Sequence, residues 1–104
     1  MIAQPGNTVI IKFIGVGVIQ PKRIITQQEV DLIKANAEAW KHLPSEKQKK
    51  EFEKTHRWKF EFDEVTPLSP IGLAIIGLAP GEIGTMILPK HQGGESKIEV
   101  LSVK

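Results

Sequence analysis

With 104 residues, 40% of them apolar and 25% charged, the chain has ordinary globular composition and the length for one modest core. The absence of cysteine excludes disulfides, thiolate metal sites and cysteine nucleophiles, and a net charge of +2, with acids and bases intermixed, argues against tight nucleic-acid binding. No basic region followed by an apolar run opens the sequence, and no apolar stretch has the length to span a bilayer, so a cytoplasmic protein without a membrane segment is expected.

Residues 8–18, TVIIKFIGVGV, are β-branched and nearly all apolar. Such a run predicts a strand buried on both faces or central in a sheet. Gly15 and Gly17 within it predict a bulge, a bend or a close backbone approach. The alternative, room for a ligand, lacks the third glycine and the helix of a dinucleotide site. Pro21 is predicted to end the strand. Thr26-Gln27-Gln28-Glu29 is a capping box, and Val30, Ile33, Ala37 and Trp40 form the apolar stripe of a helix running to about His42.

Leu43-Pro44 breaks that helix, and Ser45, with Gln48 three residues on, starts a second whose only large apolar residue is Phe52. Its Lys47, Lys49, Lys50 and Lys54 are a candidate contact for an acidic surface, although a solvated face accounts for the same charges. Trp58, Phe60 and Phe62 alternate with charged residues and predict a strand with an aromatic face. Its acids would repel phosphate, so core packing explains the aromatics better than base stacking does.

The most informative stretch is residues 68–81, LSPIGLAIIGLAPG. Ser69 is placed as an N-cap and Pro70 at the first helical position, while Ile71, Ala74 and Ile75 fall on one face of a short helix. Gly77 is placed to end it and Pro80-Gly81 to turn the chain. A strand over residues 83–88 then turns at Gln92-Gly93-Gly94-Glu95 into a last strand over residues 97–103. The order strand, two helices, strand, short helix, strand, strand predicts an α+β domain on an antiparallel sheet.

The motifs Ser69-Pro70-Ile71, Ala74-Ile75-Ile76-Gly77, Pro80-Gly81-Glu82 and Gly93-Gly94-Glu95, followed by Ile98, Val100 and Val103, occur here in that order. They resemble the C-terminal domain of the Gre family of bacterial transcription elongation factors over roughly the last third of the chain. Gly6-Asn7-Thr8-Val9 is a weaker echo of that family's first strand. The resemblance implies an FKBP-like fold, a single domain over residues 1–104 with its short helix packed on an antiparallel sheet. The helical pair at about residues 19–57, between the first two strands, is an insert by which this chain departs from the family's shorter, strand-forming link. It also implies docking on RNA polymerase at the rim of the secondary channel, with Leu68, Ser69, Pro70 and Ile71 as the contact. Leu68 stands where the family commonly has an acid or amide.

The family's cleavage-stimulating members carry their catalytic acids on an N-terminal coiled coil. The sequence begins directly at the C-terminal-type domain, so no transcript cleavage is expected. His42, His56 and His91 are scattered, neighbouring acids point in different directions, and Ser69 has no sequence-local base. Neither a catalytic site, a metal nor a cofactor is expected. Two further readings stay open. An FKBP-type prolyl isomerase is echoed by Gly77-Leu78-Ala79-Pro80-Gly81-Glu82 and Ile87-Leu88-Pro89, with Phe13, Trp58, Phe60 and Ile71 as pocket candidates, but the chain has no tyrosine. A generic interaction or oligomerising domain is the other.

Overall fold

The computed structural model describes residues 1–89 and 93–104. Its elements are β1 (Thr8–Phe13), β2 (Val18–Ile24), α1 (Gln27–Lys41), α2 (Glu46–Thr55), β3 (Glu64–Val65), α3 (Pro70–Ile75), β4 (Ile83–Ile87) and β5 (Glu95–Val103). They fall into two compact units, Met1–Thr26 with Asp63–Lys104, and Gln27–Phe62.

In the first unit five strands form a sheet in the order β3-β2-β1-β5-β4. Three pairings are antiparallel and β2–β3 is parallel, so the sheet is mixed rather than antiparallel throughout. The run at residues 8–18 is not one strand. At Gly15 and Gly17 the backbone takes φ of +102° and +74°, and the Gly17 N–H donates to the Phe13 carbonyl (2.9 Å). These glycines allow a hairpin where apolar content alone suggests continuation.

Pro21 lies inside β2 instead of ending it. The Ile24 N–H donates to the Asn7 carbonyl, whereas the Arg23 and Ile25 N–H groups donate to the Asp63 and Val65 carbonyls. Even-numbered residues of β2 therefore turn their backbone groups to β1 and odd-numbered ones away from it. Pro21 gives up a donor that would point outward, beyond the reach of β3. The helical pair accordingly follows the second strand rather than the first, and residues 19–24 belong to the sheet.

The core of this unit joins Val9, Ile11, Ile24, Val65, Ala74, Ile75, Ile98 and Val100. Alternation puts Val9 and Ile11 of β1, Ile98 and Val100 of β5 and Gly84 and Met86 of β4 on one face of the sheet. Helix α3 covers that face with Ala74 and Ile75, and Ile71 packs beside them. The helix sits so close to β4 that a Cβ on Gly84 would run into the Ala74 carbonyl. The N-terminal segment fastens the helix exit: the Gly77 N–H donates to the Ala3 carbonyl, and the Ala3 N–H to the Leu78 carbonyl (2.8 Å each).

In the second unit, Val30 and Ile33 of α1 are buried and Ala37 and Trp40 half-buried, as the apolar stripe predicts. Ser45 caps α2, its side chain accepting from the Gln48 N–H (3.2 Å). The aromatic strand at residues 58–63 does not form; only Glu64–Val65 is strand. Arg57 and Trp58 are instead drawn onto α1. Asn36 Nδ2 donates to the Arg57 carbonyl (2.8 Å), and the Trp58 ring stacks on Trp40 with centroids 4.1 Å apart. Phe60 and Phe62 are exposed, Phe62 by 84%, rather than buried as core aromatics.

The tight seam between α3 and β4 makes Gly84→Ala strongly destabilising. Urea unfolding is expected to give a loss of about 3 kcal/mol, since backbone rather than a mobile side chain must yield.

Candidate functional site

The turn that opens α3 is held by hydrogen bonds converging on Ser69. Its Oγ donates to the Thr66 carbonyl (2.7 Å) and accepts from the Gly72 N–H (3.1 Å). Its own N–H donates to the Thr66 carbonyl (3.1 Å), and its carbonyl accepts from the Leu73 N–H (2.8 Å). Gly72 is buried, and a Cβ there would overlap the Thr66 carbonyl, so the turn closes more tightly than another residue would permit. Pro70 occupies the start of the helix, where no N–H is needed.

This frame divides the four contact candidates. Ser69 spends its hydroxyl on the cap and Ile71 is half-buried against the core, whereas Leu68 is 73% exposed and Pro70 is exposed. Leu73, absent from the candidate set, is 64% exposed. The signal for it was present: the buried positions Ala74 and Ile75 leave Leu73 off the packed face of a one-and-a-half-turn helix. The arrangement sets apolar side chains in water on a backbone that cannot readily collapse. A large exposed apolar side chain on a rigid turn suits contact with an apolar partner surface.

The four lysines of α2 fare differently. Lys49 Nζ lies 4.5 Å from the Trp40 ring centroid, a cation–π contact within the unit. Lys54 Nζ is 3.3 Å from Glu51 Oε1 in an exposed pair that contributes little to stability. Lys47 and Lys50 are exposed. Lys47, Lys50 and Lys54, spaced i, i+3 and i+7, share one side of the helix. The stacked tryptophans went unread in sequence because Trp40 and Trp58 come from segments that periodicity assigns to separate elements. Lys59 Nζ stands 5.5 Å from the Trp58 centroid, and Trp40 Nε1 is buried with no hydrogen-bond partner. Trp58, one of the isomerase pocket candidates, is thus engaged by Trp40 and Lys59, and Phe60 is exposed, while Phe13 and Ile71 pack against the core of the first unit.

Of the histidines, His42 contacts Glu38 (Nε2 to Oε1, 3.0 Å) and His56 stacks on Phe52. His91 and Gln92 lie outside the described residues. Among the described residues, no three of His, Asp and Glu are grouped so as to hold a metal ion, and no helix is long and apolar enough to cross a membrane.

No protein-family model matches the chain, and no curated protein matches it. Solved structures do. The transcription factor Gfh1 superposes with a TM-score of 0.57 at 14% identity, covering 99% of this chain and 47% of its own. A prokaryotic transcription elongation factor GreA/GreB from Nitrosomonas europaea gives 0.52 at 16% identity, covering 99% of this chain and 60% of its own. The fold is therefore one found in Gre-type transcription factors, and the chain spans about half the length of the structures it matches.

Removing the cap tests the frame. Ser69→Ala is expected to lower stability by about 1 kcal/mol, read as a reduced denaturation midpoint. Ser69→Asp is expected to recover little of it, because a carboxylate accepts from the Gly72 N–H but cannot donate to the Thr66 carbonyl. Leu68→Ala, which removes an exposed side chain, is expected to stay within about 0.5 kcal/mol of the wild type.

Proposed function

We propose that this chain is a non-enzymatic, transcription-related binding module that docks on RNA polymerase at the rim of its secondary channel. The contact is the turn at residues 68–73, with Leu68, Pro70 and Leu73 entering an apolar recess on the polymerase. Ser69 and Gly72 hold the turn in shape. The observation that carries this reading is the exposure of Leu68 and Leu73 on a backbone fixed by the four hydrogen bonds at Ser69. The fold, found also in the transcription factors Gfh1 and GreA/GreB, supports a transcription-related reading.

A preformed loop enters an interface with little ordering entropy to lose, so a small apolar contact can carry measurable affinity. The exposed lysines of α2 add a second, electrostatic contribution suited to an acidic surface. It acts mainly on the association rate and weakens with salt. In this reading the module contributes no transcript-cleavage chemistry; it occupies a docking site and regulates by occupying it.

Binding of the purified chain to bacterial core RNA polymerase tests the proposal. Leu68→Asp and Leu73→Asp are each expected to weaken binding at least about tenfold, because they place a charge in a desolvated contact while leaving the fold intact. Lys47→Glu/Lys50→Glu is expected to lower the association rate more than it raises the dissociation rate. A folded chain that fails to bind, or that binds equally well with either leucine replaced, contradicts the reading.

A further inference from the structure

The two edges of the sheet are finished differently. On the β2 side, the stretch beyond the reach of β3 carries Pro21 at an outward-facing position, which removes a donor from the exposed edge. The other edge is β4, which among the described residues pairs only with β5 and reads Ile83-Gly84-Thr85-Met86-Ile87. It contains neither proline nor any charged residue, the two common guards of an exposed strand.

The backbone direction along β4 follows from its flanking bonds. The Val100 N–H donates to the Glu82 carbonyl (3.0 Å), and the Leu88 N–H donates to the Gly94 carbonyl. Even-numbered residues from 82 to 88 therefore turn their N–H and C=O groups to β5, and Ile83, Thr85 and Ile87 turn theirs away from the sheet. The side chains of these same three residues lie on the face opposite α3. Ile83 is 55% and Ile87 72% exposed. One edge thus presents three residues with outward-facing backbone groups and a row of side chains, Ile83, Thr85 and Ile87, in which two isoleucines flank a threonine whose hydroxyl accepts from Lys97 Nζ (3.1 Å).

The strand is also symmetric about its centre. A twofold axis at Thr85 places Ile83 opposite Ile87 of a second copy, Thr85 opposite its equivalent, and Gly84 opposite Met86. All the outward N–H and C=O groups of Ile83, Thr85 and Ile87 then meet as hydrogen-bonded antiparallel pairs, with isoleucine against isoleucine on the same face. Glu82 falls opposite Leu88, so no like charges are opposed. Such self-complementarity is the requirement for an isologous dimer interface.

We propose that β4 is a homodimerisation edge: a second copy of this chain adds antiparallel to it about Thr85, joining the two sheets into one. The occupant is a copy of the chain rather than an unrelated peptide, because the hydrogen-bond register and the side-chain row are matched by the strand itself when it is turned around.

Sedimentation equilibrium of the full chain, up to about 1 mM, tests this. The wild type is expected to dimerise. Thr85→Pro removes an outward donor and the exposed side-chain bond from Lys97 Nζ but leaves the backbone bonds to β5 in place, and Ile87→Lys places a charge beside Thr85 in the row. Each is expected to raise the dimer dissociation constant at least about tenfold, with an unchanged circular dichroism spectrum. Ile19→Lys, in β2 toward the opposite edge of the sheet, is expected to leave it unaltered. A wild type monomeric throughout, or a dimer that Ile87→Lys leaves unchanged, overturns the proposal.

Discussion

The close approach of the Ala74 carbonyl to Gly84 governs the larger unit. Because β4 has no side chain at that point, α3 can lie directly on the strand and bury Ala74 and Ile75 against Ile98 and Val100. A close-packed seam of backbone against backbone has few alternative arrangements. It fixes where the helix begins and hence where the Ser69 turn stands. It also determines which face of β4 is covered and which is left to Ile83, Thr85 and Ile87.

From that seam the two surface features follow as consequences of one placement. The short helix is too small to be stable alone, so tertiary contacts and caps must hold it. The Ser69 bonds secure its start, and the reciprocal bonds between Ala3 and the Gly77-Leu78 turn secure its exit. With both ends tied, Leu68 and Leu73 remain in solvent instead of folding back onto the core. The helical unit has its own organising contact in the Trp40–Trp58 stack, which draws the segment after α2 onto α1 and leaves three lysines of α2 outward.

The C-terminal part of the fold was legible in the sequence because local rules and tertiary packing agree there. Ser69, Pro70 and Gly77 carry unambiguous capping chemistry, and Ala74 and Ile75 are buried where the helical spacing puts them. The Ser45 cap and the stripe at Val30 and Ile33 were legible for the same reason. The misreadings arose where local rules compete. Gly15 and Gly17 sit in an apolar run that scores as one strand, and only their positive φ reveals the hairpin. Pro21 reads as a terminator unless the direction of its missing N–H is known. Trp58, Phe60 and Phe62 alternate as a strand would, but pairing of Trp58 with a tryptophan eighteen positions away decides otherwise. At the candidate site, the cap residues announced themselves, while Leu73 required knowing which side of so short a helix is packed.

The turn at residues 68–73 is the surface proposed above to meet RNA polymerase. Amide hydrogen exchange of the chain, alone and with core polymerase, maps that surface without altering any residue. The account predicts added protection concentrated in residues 66–76, with a weaker effect along α2 and none in β2. Unchanged exchange at residues 66–76, in a complex that protects the chain elsewhere, would contradict it.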